Sequence, residues 1–558
     1  MKKNKHFPIF VLIFLVALTL RLWKLGEVPP SMHWDEPSWG YNAYSILKTG
    51  RDEYGNFMPL VFKAFGDWKS AIYVYLTVPS VAIFGLNEFA VRFPAALFGA
   101  IAVILLYYFI KELFKDFKGQ EVLAIFASLI FALSPWDYHY SHGAWEINIL
   151  LSLLLLGLIF LLRFEKGKIR YLYISEVFFG LCFYVYNSAK LIIPLIVIGL
   201  FFLLRDKFRK LTLKNYFFVF ALAFVITAPV FYLTFFGEAG GRLRVMSVFS
   251  YQRSDVETAQ LVKEEGGTVN SLSYQIFHDS PHYFLRGVLG RYLNHFSPKF
   301  LFFEGDWTNP RHSAPNSGVL NLMDILLLPL GVYFLVNQKI KNRIFIVYLL
   351  LITPLPAALS RDIIQATRSF FMIIPLSIIS AFGAYSIYQQ TAKIKSLLKV
   401  SLWGILIIFY LFSFVRYLDM FIVHLSKENS QYWQYGYKEA MEYVFKNKDW
   451  YEKVIFTQKY MQPYIYYLFY NKYEPSVYQS KAKLTEDPHG DVGTVERLDN
   501  IEFRNIYWPK DRLIKNRLYI GNQYELPEKD IVSTESRLLG KIYFLDGETA
   551  FHIVETAR

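Results

Sequence analysis

Residues 7–40 read FPIFVLIFLVALTLRLWKLGEVPPSMHWDEPSWG, an apolar run followed closely by two adjacent carboxylates, Asp35 and Glu36. Lysines precede the run, as in a secretory signal, but no small-residue cleavage site follows it. The run therefore predicts a retained first membrane helix. The carboxylates lie just beyond it, framed by Trp34 and Trp39.

The composition predicts a polytopic α-helical membrane protein. The chain has 558 residues, of which 54% are hydrophobic and 19% aromatic, and its apolar runs approach the ~20 residues that cross a bilayer. The net charge is +13, but the basic residues cluster between apolar runs, where they act as orientation signals and do not suggest nucleic acid. The single cysteine, Cys182, excludes an intrachain disulfide and a cysteine-based metal site.

The apolar runs predict about eleven transmembrane helices in residues 1–419. The predicted spans are residues 7–25, 91–113, 121–135, 147–163, 171–188, 190–205, 215–236, 318–337, 344–360, 369–388 and 398–418.

Charge asymmetry gives this arrangement an orientation. Only Lys190, Arg361 and Arg368 lie in the three short connections assigned to the outside. The connections assigned to the cytoplasm carry Lys2, Lys3, Lys5, Lys111, Lys115, Lys118, Arg163, Lys166, Lys168, Arg170, Arg205, Lys207, Arg209, Lys210, Lys214, Lys339, Lys341, Arg343, Lys393, Lys395 and Lys399. Because cytoplasmic loops are enriched in Lys and Arg, the N-terminus is predicted to be cytoplasmic and the C-terminal segment extracytoplasmic.

Two long segments are predicted to lie outside. In the first, residues 26–90, the apolar stretch Ser70 to Phe84 would invert every later loop if it crossed the membrane. We therefore expect it, like Pro37 to Lys48, to form a helix along the membrane surface. The second, residues 237–317, contains the polar stretch Ser254 to Ser271, expected to be a mobile loop.

Residues 420–558 predict a small extracytoplasmic α/β domain. Val454 to Thr457, Arg517 to Ile520, Lys541 to Leu545 and Ala550 to Val554 have strand character, and Gln462 to Phe469 has helix character. Asp546-Gly547 predicts a hairpin between the last two strands. The segment carries no catalytic motif, so acceptor recognition and a structural cap both remain open.

Charged residues collect at the predicted outer ends of the spans. The acids are Asp35, Glu36, Glu53, Asp67, Glu88, Asp137, Glu146, Glu304 and Asp306, and the cations are Lys63, Lys69, Arg92, Lys190, Arg242, Arg291, Arg311, Arg361 and Arg368. A carboxylate can accept a proton from an attacking hydroxyl, and a cation can stabilise a phosphate leaving group. The combination suits transfer of a group from a phosphate ester.

No nucleotide-binding signature accompanies these charges. The sequence lacks a phosphate-binding loop, a G-x-G-x-x-G fingerprint and a D-x-D pair. A site that faces outward would also meet no soluble nucleotide sugar. The remaining activated donor is one dissolved in the membrane, such as a polyprenyl phosphate that carries a sugar.

The first-loop Asp35-Glu36 pair and the block Phe84-Gly85-Leu86-Asn87-Glu88-Phe89-Ala90-Val91-Arg92-Phe93-Pro94-Ala95-Ala96-Leu97-Phe98-Gly99 resemble the C-type (GT-C fold) membrane glycosyltransferases. The most similar branch is the protein O-mannosyltransferase and lipid A aminoarabinose transferase group. The resemblance is best over residues 1–200, extends through Gly305 to Gly318 and the Arg368 region, and is weak in the C-terminal segment.

This resemblance implies an inverting transfer from a polyprenyl-phosphate sugar to an acceptor hydroxyl of a protein, glycolipid or envelope polymer on the outer face. Asp35 would activate the acceptor, with Glu36 beside it and Glu146, or else Asp137, as a second acid. The candidates for the donor phosphate are Lys190, Arg368 and Arg92, and those for other substrate contacts are Trp34, Asp137 and His312.

Simpler roles are available to the same residues. Asp35 before Pro37 and Glu146 at a span entrance could each stabilise a helix N-terminus. Lys190 could be an interface anchor and Arg368 a lipid contact. No cofactor is firmly implied, although His139, His142 and Glu146 leave a divalent metal possible. A transporter or flippase of envelope glycolipids is the alternative function.

Overall fold

The computed structural model describes residues 7–237, 245–392, 394–486, 493–531 and 534–557. Each of the eleven predicted spans contains a helix. The helices are Phe7–Leu22, Glu88–Leu113, Gln120–Ala132, Ile147–Phe164, Arg170–Cys182, Ala189–Leu203, Leu213–Phe235, Asp324–Asn337, Arg343–Ile352, Ile373–Thr391 and Ser396–Asp419. Lys2, Lys3, Lys5, Arg242 and Lys393 lie outside the described residues.

Length and apolarity support a smaller number of membrane crossings. Within the described ranges, five helices can span a bilayer on these criteria, and six if Gln120–Ala132 and Pro135–Ser141, bent by 55°, form one span. Five further apolar helices are 10–17 residues long. The fold is thus a bundle of apolar helices, while the number of eleven spans and their orientation stay predictions.

Burial divides the long helices into central and peripheral ones. The most apolar windows of Ile147–Phe164 and Phe370–Thr391 are 83% and 94% buried, whereas those of Leu213–Phe235 and Ser396–Glu428 are each only 11% buried. A helix that is apolar on its exposed faces needs lipid around it, so the two exposed helices form the rim of the bundle.

The first outer segment folds into a helix, a hairpin and a second helix. These elements are Asp35–Thr49 (the Asp35 helix), strands β1 (Val61–Ala64) and β2 (Asp67–Ser70), and the helix Ile72–Phe84. The strands are antiparallel and pair Lys63 with Trp68. Both helices predicted here are present.

The Asp35 helix is covered by other parts of the protein, and its predicted position along the membrane surface stays a prediction. Ten of its 15 residues are buried, and it packs against the C-terminal helix Pro463–Tyr470 as well as the bundle. At Gly40 the contact is so close that an added Cβ would lie 2.5 Å from Phe469 and 2.6 Å from Val91. The helix is therefore enclosed between the bundle and the C-terminal part.

The second outer segment is more ordered than expected. The described part contains the helices Asp255–Glu265, Leu272–Phe277 and Ser280–Asn294, so the prediction of a mobile loop over Ser254 to Ser271 is wrong. The Ser254 hydroxyl caps the first helix by accepting the Glu257 N–H, and Gly266 ends it with φ +66°. These end signals outweigh the polar composition of the stretch.

The C-terminal part contains a six-stranded sheet. Its strand order is β6-β7-β3-β8-β10-β9, formed by β3 (Lys453–Phe456), β6 (Arg497–Leu498), β7 (Ile501–Phe503), β8 (Arg517–Gly521), β9 (Ser536–Tyr543) and β10 (Thr549–Thr556). Val454 pairs with both Ile501 and Leu518 in parallel register. The helices Tyr437–Asn447, Pro463–Tyr470 and Pro475–Lys481 accompany the sheet, and a small pair joins β4 (Leu484–Glu486) to β5 (Gly493–Val495). The four predicted strands and the Asp546-Gly547 hairpin are confirmed.

Candidate active site

Asp35 and Glu36 occupy the first turn of the Asp35 helix, where carboxylates complement the positive end of the helix. Successive residues of an α-helix are rotated by about 100°, so neighbouring side chains leave in different directions. As a consequence of this rotation, the two carboxylates have different surroundings.

Glu36 is buried in an ion pair with Arg92. The Arg92 guanidinium donates to both Glu36 oxygens, at 3.0 and 3.1 Å, and Glu36 also accepts the Ala144 N–H at 2.8 Å. Arg92 further donates to the carbonyl oxygens of Leu25, Pro29 and Ser31. This cluster fixes the chain on both sides of the first loop and leaves neither side chain in the cavity described next.

Asp35 faces a cavity of about 380 Å³. Five of the residues predicted for the site line this cavity: Trp34, Asp35, Glu146, His312 and Arg368. Glu36, Arg92, Asp137 and Lys190 do not line it. The other lining residues include His33, Trp39, Lys69, Trp145, Arg311, Asp362 and Gln462.

The charge of Asp35 is set by Lys69 and His33. Burial acts to raise the pKa of the Asp35 carboxyl, but the Lys69 ammonium and the neighbouring His33 ring outweigh it and hold the pKa well below its usual range. Burial lowers the pKa of His33 to about 3. At neutral pH the cavity therefore contains an aspartate carboxylate, a lysine ammonium and a neutral histidine. The Asp35 side chain is still 33% exposed, which leaves room for a ligand to contact it.

The hairpin explains how Lys69 reaches Asp35. Phe65 and Gly66 turn the chain with φ of +58° and +84°, so β2 carries Lys69 back towards the start of the Asp35 helix. The Lys69 Nζ also lies 5.3 Å from the Trp39 ring centroid and 5.1 Å from that of Phe65. These aromatic faces stabilise the largely buried ammonium.

Arg311 is the second cation that faces Asp35. Its backbone carbonyl accepts a hydrogen bond from His139 Nε2 at 2.6 Å, and its guanidinium lies 6.0 Å from the Trp34 ring centroid. Burial lowers the pKa of Arg311, and the Asp35 carboxylate partly opposes that effect. Of the residues that the structure describes, none forms a hydrogen bond or an ion pair with this guanidinium.

Asp306 holds the loop that presents Arg311. It accepts hydrogen bonds from His312 Nδ1 at 2.9 Å and from the Ala366 N–H at 3.0 Å. The predicted substrate contact His312 is thereby oriented by a carboxylate, and the loop is joined to the segment that leads to Arg368. Burial acts to raise the pKa of Asp306, but these hydrogen bonds lower it.

Asp137 is placed away from the cavity. It forms a fully buried ion pair with Arg21, and Arg21 Nε donates to it at 2.9 Å. The pair joins the first helix to Pro135–Ser141. Glu146 immediately precedes the helix Ile147–Phe164 and does line the cavity, so of the two candidates for a second acid only Glu146 is close to Asp35.

An apolar groove adjoins the cavity. It has a volume of about 420 Å³, and shares Tyr186, Asn187, Met246 and Arg368 with the cavity. Phe231, Phe235, Phe249, Leu191 and Leu359 line its apolar part, and Lys190 lies at its polar end. Lys190 donates to Asn187 and Thr234 at 2.9 and 2.8 Å. Arg368 pairs with Asp362 at 2.7 Å.

No metal centre is evident among the described residues, where no three His, Cys, Asp or Glu side chains come together as ligands. His139 and His142 instead bond to backbone carbonyl oxygens, including those of Arg311 and Tyr138. The proposed His139, His142 and Glu146 set does not assemble.

Local sequence patterns do not single out Lys69 and Arg311 as the cations that lie near Asp35. Lys69 belongs to a hairpin whose signal was the Phe65-Gly66-Asp67 turn, and Arg311 follows the Asp306 to Asn309 turn. Neither turn indicates which residue elsewhere in the chain the following cation will contact. Their convergence on Asp35 depends on tertiary packing, which the sequence order does not reveal.

Comparisons with known proteins agree with this fold. Residues 69–233 match the family model of the dolichyl-phosphate-mannose-protein mannosyltransferases. No curated protein matches the sequence significantly. Among solved structures, ArnT from Cupriavidus metallidurans bound to undecaprenyl phosphate is 12% identical with a TM-score of 0.54, and 99% of this chain and 98% of ArnT are covered.

A second solved structure is the archaeal oligosaccharyltransferase AglB from Archaeoglobus fulgidus, in complex with an inhibitory peptide and a dolichol-phosphate. It is 13% identical with a TM-score of 0.51, and the match covers 84% of this chain and 64% of AglB. This chain thus spans less than two thirds of the archaeal protein. These likenesses show the fold, and together with the family model they confirm the resemblance found in the sequence.

Proposed function

We propose that the protein is an integral-membrane glycosyltransferase that transfers a sugar from a polyprenyl-phosphate donor to an acceptor hydroxyl, with inversion. One observation carries this proposal: Asp35 and the unpaired Arg311 face each other across a cavity that continues into an apolar groove. A lipid phosphate sugar has the matching parts, namely an apolar chain, an anionic phosphate and a polar sugar.

The donor is proposed to bind with its prenyl chain in the groove and its phosphate near Arg368 and Lys190. Arg368 lines both the groove and the cavity, and Lys190 lines the groove and donates a hydrogen bond to Asn187, which lines both. Arginine suits this position because its planar fork can contact two phosphate oxygens. That ArnT and AglB were solved with undecaprenyl phosphate and dolichol-phosphate supports a donor of this class.

The reaction is proposed to proceed by a single displacement. The acceptor oxygen forms a bond to the anomeric carbon of the sugar as the bond from that carbon to the phosphate oxygen breaks. Asp35 takes the hydroxyl proton, and Arg311, Arg368 and Lys190 stabilise the phosphate that leaves. Because Lys69 keeps the pKa of Asp35 low, Asp35 is ionised beforehand and accepts the proton only as the new bond forms.

The remaining predicted residues take supporting roles in this proposal. Trp34, Glu146 and His312 contact the sugar or the acceptor from the cavity wall. Glu36 and Arg92, buried together behind the wall, are positioning residues that hold Asp35 in place. The site is proposed to face outward at the plasma membrane, with the N-terminus in the cytoplasm and residues 420–558 outside.

Replacement of Asp35 by Asn tests the proposal. With a radiolabelled polyprenyl-phosphate sugar and membranes that contain the acceptor, D35N should lower the initial rate of transfer by about 10² or more, the contribution of a general base. Binding of the polyprenyl phosphate should change little. Glu27→Gln, which alters a 73%-exposed carboxylate of the same loop, is the control and should transfer normally. Unchanged transfer by D35N would disprove the assignment of Asp35 as the general base. Absence of transfer by the wild-type protein would instead favour transport or flipping of a glycolipid.

A further inference from the structure

A second cavity lies beside the first and has no part in the proposed donor site. Its volume is about 550 Å³, and it is lined by Val248, Tyr251, Tyr283, Phe284, Gly287, Arg291, Arg361 and Asp362. Arg361 and Asp362 line both cavities. These two residues therefore form the wall that separates the two cavities at that point.

The lining of the second cavity is cationic. Arg291 Nη2 donates to the Arg361 carbonyl oxygen at 3.3 Å, and its Nε is buried without a hydrogen-bond partner among the described residues. Arg361 donates to the Tyr251 hydroxyl at 2.7 Å. The one acid of the lining, Asp362, is neutralised by Arg368 at 2.7 Å. An unsatisfied buried N–H of a guanidinium is unfavourable unless a ligand completes it.

The helix Ser280–Asn294 gives this cavity an amphipathic wall. Tyr283, Gly287 and Arg291, each four residues apart, line the cavity. Leu285, Leu289 and Leu293 follow the opposite face and are 58%, 49% and 61% exposed. A helix with exposed leucines on one face and an arginine on the opposite face suits the interface between membrane and water.

Contacts place this helix at the end of an apolar helix. The Tyr292 hydroxyl donates to the Leu351 carbonyl oxygen at 2.8 Å, and Leu351 belongs to Arg343–Ala358, one of the shorter apolar helices. The last turn of that helix, Leu355–Ala358, also contacts Ser280–Asn294. The leucine face is therefore level with the end of a membrane-facing helix. A ligand that enters the cavity beside it would come from the lipid surface.

We infer that the second cavity is an anion-binding subsite for an amphiphilic, membrane-borne acceptor, whose phosphate or carboxylate group contacts Arg291 and Arg361. The acceptor hydroxyl would then reach Asp35 past the wall that the two cavities share. That the bound anion belongs to the acceptor rests on the function proposed above, whereas the existence of the subsite does not.

Lipid binding to the full-length protein in detergent tests this inference. The protein is first saturated with polyprenyl phosphate, and native mass spectrometry then follows binding of dihexanoyl phosphatidic acid, with dihexanoyl phosphatidylcholine and inorganic phosphate as comparison probes. Arg291→Gln removes the charge from the cavity. Arg286→Gln removes a charge from the same helix outside the cavity lining and is the matched control.

The wild-type protein and Arg286→Gln should each bind one phosphatidic acid beyond the polyprenyl phosphate, and Arg291→Gln should bind it about tenfold more weakly, as for loss of one charge-assisted hydrogen bond. Equal binding by the two variants would overturn the subsite. Inorganic phosphate that binds as tightly as phosphatidic acid would overturn the inference that the ligand is membrane-borne. Displacement of phosphatidic acid by an acidic peptide would overturn it as well. Failure of the proposed function is distinct, because the wild-type protein would then not transfer sugar from the polyprenyl-phosphate donor, whatever its binding of phosphatidic acid.

Discussion

Two adjacent carboxylates of one helical turn have different roles because their surroundings differ. Asp35 is 33% exposed beside Lys69, whereas the Glu36 side chain is 4% exposed and paired with a fully buried Arg92. A sequence motif of two acids suggests two equivalent catalytic groups. The structure instead favours one group that contacts substrate and one that holds the backbone in place.

Loss of the Glu36 pair should act on stability first. Glu36→Gln leaves the Arg92 charge buried without its partner, and removal of one partner from a buried pair costs about 3–5 kcal/mol. The apparent melting temperature of the purified protein should fall clearly. Lys438→Ala, which breaks the more exposed pair with Glu88 (side chains 49% and 16% exposed), should cost at most about 1 kcal/mol. Equal shifts for the two variants would refute the positioning role.

Glu53 predicts a pH dependence of stability in the first outer loop. Its side chain is buried, shares one hydrogen bond with Asn42 at 3.0 Å, and burial raises its pKa to about 8. Folded protein therefore retains a proton that the unfolded chain loses near its ordinary pKa of 4.5. Over this interval the folded state binds more protons than the unfolded state. The contribution of Glu53 to stability is therefore complete below about pH 4.5, falls as the pH rises to about 8 and is then constant.

Glu53→Gln should remove that slope. We expect melting temperatures measured between pH 5 and 9 to fall with rising pH for the wild-type protein and to vary less for the variant. Glu27→Gln changes an exposed carboxylate and should keep the wild-type slope. An unchanged slope in Glu53→Gln would show that the Glu53 carboxyl is ionised in the folded protein.

At the scale of elements, two glycines allow a close crossing of two helices. An added Cβ at Gly331 would lie 1.9 Å from the Ile379 carbonyl oxygen, and one at Gly383 would lie 2.1 Å from that of Leu327. The two glycines thus allow Asp324–Asn337 and Ile373–Thr391 to touch through their backbones. Arg368 precedes the second of these helices, so the crossing also supports the proposed phosphate site.

Alanine at this crossing should destabilise the protein, although alanine favours helix. Gly331→Ala would force the two backbones apart, and overpacking of this kind costs about 1–3 kcal/mol. Gly404→Ala is the matched control, because a Cβ there meets no atom within 4 Å, and its helix propensity should leave stability equal or higher. Thermal unfolding of both variants measures the difference. A Gly331→Ala protein as stable as the control would contradict the close crossing.

The elements also show which parts of the structure local sequence can predict. Long apolar runs and the alternating strands around Asp546-Gly547 were recognisable because their signals lie within the element itself. The burial of the Asp35 helix depends on Phe469, far along the chain. Likewise, Asp35 was identified from a local motif, whereas Lys69 and Arg311 join it only through tertiary packing. Local patterns therefore predicted the elements and one acid, but not the charge pairs that define the cavity.

At the scale of the whole molecule, the C-terminal part closes the cavity from one side. Met461 and Gln462 line the cavity, and the Tyr466 hydroxyl donates to the Met32 carbonyl oxygen at 2.8 Å, three residues before Asp35. The sequence left open whether this part recognises the acceptor or is a structural cap. Its contacts make it at least part of the cavity wall, so the C-terminal part and the Asp35 helix should lie on the same side of the membrane.

The predicted orientation can be tested with single cysteines. In a Cys182→Ser background, Lys168→Cys and Lys210→Cys occupy predicted cytoplasmic connections, and Ser254→Cys and Asp546→Cys occupy predicted outer segments; all four positions are exposed. A membrane-impermeant maleimide added to intact cells should label only the latter two, since the cation-rich connections stay inside. Permeabilised cells should label all four, which controls for accessibility. Labelling of Lys168→Cys but not Ser254→Cys in intact cells would invert the topology and place Asp35 on the cytoplasmic side, where soluble nucleotide sugars would again be possible donors.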